Sequence, residues 1–150
     1  MKKRIDSKEG LLLYARILII GFIVNLIWEN AQAFLYTGYS GFKEHFWACF
    51  VASIVDALVI LLIYLFFALY YKNLFWPRRN SLIRYTFVAV IGGALAVGFE
   101  LWALEKGEWS YARNMPVVVG IGLSPLIQLM TLPALTYSIS LRGIRSRMIG

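Results

Sequence analysis

Hydrophobic residues fall into four long blocks along the chain: Leu11–Tyr36, Phe46–Tyr71, Leu82–Leu104 and Val117–Leu141. Each is close to the ~20 residues that a helix needs to cross ~30 Å of hydrocarbon. A backbone facing lipid must satisfy its own hydrogen bonds, which favours helices as spans. Barrel strands would be shorter and would alternate in polarity, unlike these blocks. The pattern predicts an all-α fold: an integral membrane bundle of four transmembrane helices, forming a single membrane domain over residues 1–150. It leaves no room for a separate soluble domain.

Polar residues inside the blocks repeat at helical spacing. In the first, Asn25, Glu29, Gln32 and Tyr36 share one helix face. In the second, His45, Cys49, Ala52 and Asp56 form a polar or small face. In the third, Ala89, Gly93, Ala96 and Glu100 lead from small residues to an acid, and small faces let membrane helices approach closely. The fourth carries Ser124, Gln128 and Thr131 on one stripe, with Pro125 and Pro133 expected to bend it. At a rise of ~1.5 Å per residue, Glu29 lies about 10 Å and Asp56 about 15 Å from the outer ends of their spans. Glu100 lies nearer the outer end, and Gln128 about as deep as Asp56. A square of four helices would therefore bring these groups together in one polar pocket opening outward.

Composition agrees with the pattern: 60% of the 150 residues are hydrophobic, against roughly 45–50% in soluble domains. The net charge of +7 is explained by its distribution. Lys2, Lys3, Arg4 and Lys8 precede the first block. Lys72, Arg78, Arg79 and Arg84 lie between the second and third, and Arg142, Arg145 and Arg147 follow the fourth. The other side has only Lys43, Lys106 and Arg113, and Arg16 can snorkel from within the first span. This asymmetry predicts a multi-pass protein of the inner (plasma) membrane with both termini cytoplasmic. The basic segments then meet an anionic lipid surface rather than nucleic acid. Cys49 is the single cysteine and His45 the single histidine, so no disulfide, zinc motif or other metal-ligand set is expected. No nucleotide fingerprint or catalytic Ser-His pair appears, and no cofactor is implied. Ala31-Gln32-Ala33 after a basic start has the outline of a signal-peptide cleavage site. The length of the apolar run, and Glu29 and Asn30 before that site, favour a retained helix instead.

The loop before the fourth block reads ALEKGEWSYARNMP. Trp109 and Tyr111 fit an aromatic interfacial belt, and Gly120 and Gly122 permit a close helix start or a re-entrant turn. WENAQAFLY, together with GEWSYARNMP leading into GLSPLIQ, resembles a family of small, uncharacterised bacterial four-helix membrane proteins over most of the chain. That resemblance implies the fold and no activity. A second resemblance, over about thirty residues, is to the membrane-integral lycopene cyclases, through Glu105, Trp109, Tyr111 and Pro125. The chain departs from their pattern at Ile127-Gln128, where the cyclases have glutamates.

An acid within a span costs at least ~2.5–3.5 kcal/mol at the helix centre, so three of them call for an account. In catalysis Glu29, Asp56 and Glu100 would be the reacting groups. Asn25, Gln32, Tyr36, His45, Trp109, Tyr111 and Gln128 would contact the ligand. The plainer reading is a structural network in which Glu29 pairs with Gln128 or Asn25. Three functions fit the sequence. The first is an enzyme acting on a lipid or isoprenoid by acid catalysis, with Trp28, Trp102 and Trp109 facing a developing cation. The second is a proton-linked transporter or small-molecule binding protein, as a homo-oligomer. The third is an accessory subunit bound to another membrane protein.

Overall fold

The computed structural model describes residues 7–78, 82–142 and 144. Of the basic segments, Lys2, Lys3, Arg4, Arg79, Arg145 and Arg147, together with the Lys8 side chain, lie outside the described residues. The described residues form four long helices: α1 (Ser7–Gln32), α2 (Phe42–Tyr70), α3 (Leu82–Lys106) and α4 (Leu123–Ser140). The first three are long and apolar enough to cross a membrane.

The fourth block departs from expectation at its start. Residues 117–122 are not helical: strand β1 (Val117–Val118) pairs antiparallel with β2 (Ile121–Gly122), Val117 opposite Gly122. Val119 (φ 52°) and Gly120 (φ 81°) make the turn, and positive φ at both central residues is the hairpin type that follows strand twist. A continuous apolar run does not by itself distinguish strand from helix; here the three β-branched valines and Gly120 favour the hairpin. Pro125 is a second correction. It stands third in α4, within the first turn, where its missing N–H had no intrahelical partner to lose, so it does not interrupt the helix.

The helices do not form a closed square. α1 packs against both α2 and α4, and α4 against α3, whereas α2 and α3 scarcely touch. Small residues determine this order. Gly21 of α1 fits between Ala57 of α2 and Thr136 of α4, with room for a Cβ no closer than 3.6 Å to either. Gly92 of α3 lies against the Leu129 carbonyl of α4 so closely that a Cβ would stand 1.9 Å from that oxygen. This carbonyl is four residues before Pro133, which has no N–H to offer it. The glycine thus admits the backbone group that the proline leaves free.

One end of the bundle is packed shut. Trp76, in the loop between α2 and α3, is fully buried among Tyr64, Phe67, Tyr71, Tyr85 and Tyr137. Its indole N–H donates to the Tyr64 carbonyl at 3.3 Å, and Arg84 donates to its carbonyl at 2.9 Å. Tyr137 donates to the Ile60 carbonyl at 2.7 Å, tying α4 to α2 at this level. Leu13, Ile17, Ile60 and Val88 complete the apolar core.

The fit at Gly92 predicts that Gly92→Ala destabilises the folded protein by about 1–3 kcal/mol or more, the cost of overpacking. Gly98→Ala, on the same helix with nothing within 4 Å of its Cβ position, serves as the control and changes stability by less than ~1 kcal/mol. Thermal unfolding in detergent compares the two.

Candidate functional site

The other end of the bundle holds a cavity of about 880 Å³. Its walls come from α2 and α3, where these helices part, and its floor from α1 and α4. Ala48, Ala52 and Ala96 keep it wide, and Val55, Phe99 and Trp102 make the walls apolar. The roof is a strap. Ala112 N–H donates to the Leu35 carbonyl and Thr37 N–H to the Ser110 carbonyl, both at 2.9 Å. These bonds pair Tyr36 with Tyr111 in an antiparallel bridge and hold the segment after α3 across the cavity mouth.

At the floor, the Gln128 amide joins three helices. Its nitrogen donates to Asn25 Oδ1 (2.9 Å), Glu29 Oε1 (2.8 Å) and Asp56 Oδ2 (2.8 Å). An amide has two N–H bonds for these three acceptors. Gln32 helps by donating to Glu29 Oε1 and to Gln128 Oε1, each at 3.0 Å. The direction of the chain follows from Trp28. An indole N–H can only donate, and it donates to Gln32 Oε1 at 3.2 Å. Gln32 must therefore turn its NH2 toward Glu29 and Gln128, and Gln128 in turn points its own NH2 at the carboxyls. Glu29 and Asp56, from two different helices, are thus gathered around one amide nitrogen.

Glu100 forms a separate cluster. Its Oε2 accepts from Trp109 Nε1 at 3.3 Å and from the Tyr111 hydroxyl. Tyr111 accepts in turn from the Gly122 N–H at 2.9 Å, which locks the hairpin to the roof. Burial, and then the bond to Glu100, push the Tyr111 hydroxyl up to about 12.

Both clusters reach the same cavity. Glu29, Asp56, Glu100, Gln32, Tyr36, His45, Trp109 and Gln128 line the cavity. Asn25 is fully buried beneath it, donating to the Gly21 carbonyl at 2.7 Å. Tyr111 sits behind Glu100 rather than on the wall. Tyr36 reaches the cavity by a different route from that expected: α1 ends at Gln32, and a 3₁₀ turn over Ala33–Leu35 takes Tyr36 off the helix face. Thr131 is exposed and donates to the Ile127 carbonyl one turn back, so it leaves the polar stripe. Trp28 faces Gln32 and does not line the cavity. Its indole position at i−4 from Gln32 was the signal that could have marked it as the donor orienting the amides. Among the described residues no group of three His, Cys, Asp or Glu side chains is arranged to hold a metal ion. No family model, no curated protein and no solved structure matches this chain.

Two outcomes follow for the clusters. Gln128→Leu strips donors from Asn25, Glu29 and Asp56 and should cost about 1–3 kcal/mol or more. Thr131→Val, one turn on and exposed, should stay within ~0.5 kcal/mol; thermal unfolding reads both. The Tyr111 hydroxyl has a folded-state value raised above the ordinary ~10 of tyrosine. Its contribution to stability is therefore present below pH ~10 and is lost as pH rises through about 12. The difference in tyrosinate absorbance between wild type and Tyr111→Phe should show one residue titrating near the higher value.

Proposed function

We propose that the chain is a four-span protein of the inner membrane that acts on a lipid or isoprenoid by acid catalysis. In this reading both termini are cytoplasmic and the cavity opens outward. The 18 residues of α4 extend about 27 Å at 1.5 Å per residue, enough for a fourth span within a bundle. The segments with Lys72, Arg78, Arg84 and Arg142 all fall at the closed end, which supports the orientation.

The carrying observation is the Glu29–Asp56 pair, from two different helices, at the floor of an apolar-walled cavity. Two carboxyls gathered around one amide nitrogen, one carrying a proton and the other not, provide both an acid and a base. The reaction class that returns such a pair to its starting state is isomerisation or cyclisation. One carboxyl adds a proton at one carbon of a double bond, and the other takes a proton from a neighbouring carbon. Glu29 is assigned as the donor and Asp56 as its partner. Glu100, held by Trp109 and Tyr111, faces the positive charge that develops between the two transfers. The same pair could exchange a proton during transport, but the aromatic packing around Trp76 closes the far end and favours chemistry inside the cavity.

Glu29→Gln keeps the size and the hydrogen-bonding capacity of the side chain and removes the proton. The expected result is normal insertion with turnover lost by at least a hundredfold. Untargeted lipid mass spectrometry of membranes from cells producing either form would show it, as a species altered by wild type and unaltered by the variant. Identical lipid profiles with Glu29→Gln and with wild type, both differing from cells without the protein, would remove Glu29 from the chemistry.

A further inference from the structure

We infer that the cavity is a binding site for hydrophobic cations. This rests on the reading above and names the charge class its ligands take: an acid-catalysed step creates positive charge here, and a stable cation of similar size would be held by the same walls. Four carboxyl-bearing residues line the cavity, from four different segments: Glu29 of α1, Asp56 of α2, Glu100 of α3 and Glu108 of the roof. Among the described residues lining it there is no Lys or Arg, and His45 is the one imidazole. The described lining is therefore acidic, with no basic side chain opposite the carboxyls other than that imidazole. Opposite charges interact far more strongly between low-dielectric walls than in water.

The second observation is the rest of the lining. Tyr36, Phe99, Trp102 and Trp109 present aromatic faces, which attract cations through their quadrupoles. The N–H of Trp109 is committed to Glu100, and its ring stands edge-on to Tyr36 with centroids 6.2 Å apart. An aromatic and an anionic element are thereby bonded into one wall. Where α2 and α3 part, the opening is apolar: Val55 is 48% exposed, Phe99 40% and Trp102 53%. A ligand with an apolar body can fill that gap while its charge lies near the carboxyls. The volume of about 880 Å³ falls within the roughly 300–1,000 Å³ of small-molecule sites. A phosphate head group would meet several carboxyls and no described Lys or Arg.

The test uses two ions of the same shape and opposite charge, tetraphenylphosphonium and tetraphenylborate, with the full chain purified in neutral detergent. Equilibrium dialysis with labelled tetraphenylphosphonium should give saturable binding of one ion per chain. Excess unlabelled cation should displace it, and tetraphenylborate should not. Glu100→Gln and Trp102→Ala should each weaken binding at least tenfold, and Glu9→Gln, an exposed acid outside the cavity, should leave it unchanged. Trp102 is exposed, so its variant tests the site even where Glu100→Gln fails to fold. Binding that does not saturate, equal displacement by tetraphenylborate, or undiminished affinity in the folded Glu100→Gln and Trp102→Ala variants would overturn the inference. The two readings fail separately. Cation binding with lipids indifferent to Glu29→Gln retains the site and removes the catalysis. Lipid turnover that depends on Glu29 without cation binding does the reverse.

Discussion

The Gln128 side chain holds the open end of this bundle together. It reaches from α4 to Asn25 and Glu29 of α1 and to Asp56 of α2, so three helices depend on one amide. Polar groups in an apolar interior are costly unless they are bonded, and a carboxylate more so than an amide. The helices can therefore carry their acids only in an arrangement that brings this amide among them. Trp28 gives the network its direction, because an indole cannot accept. A structural role and a chemical one are compatible here: the bonds that make the acids tolerable also present them to the cavity.

The two ends of the molecule solve opposite packing problems. At the closed end, large aromatics fill the space between four helices, and Trp76 supplies the central volume. At the open end, the matching positions of α2 are Cys49, Ala52 and Ser53, and those of α3 are Ala96 and Gly93. Small residues let helices approach only where a partner is opposite them. Gly92 has the Leu129 carbonyl, and Gly21 has Ala57 and Thr136. Ala48 and Ala52 lie where α2 and α3 scarcely touch, and the same small side chains there become walls of a cavity.

Charge then gives that cavity its chemical character. Apolar walls alone would accept almost any hydrophobic ligand. Carboxyls on three helices and on the roof, with aromatic side chains among them, make this lining acidic and aromatic at once, the combination that generally attracts positive charge. The strap over the mouth links the two clusters to one another. Tyr36 and Tyr111 are bridged through backbone hydrogen bonds, and Tyr111 connects Glu100 to the hairpin before α4.

Much of this was legible along the chain. The helices α1, α2 and α3 follow from the lengths of the apolar blocks, and the i, i+4, i+7 spacing of Asn25, Glu29 and Gln32 placed them on one face. That reading works because helix periodicity is a local property. The hairpin at 117–122 was not legible, since an uninterrupted apolar run has no period to read. The bonding of Gln128 to residues 72 to 103 positions away, the bonding of Glu100 separately from the other two acids, and the opening between α2 and α3 are also absent from any local pattern. The sequence by itself determined which helices carry polar residues at helical spacing. Only the tertiary structure decided which faces meet, because that depends on where a glycine without a side chain finds a carbonyl or a methyl group opposite it.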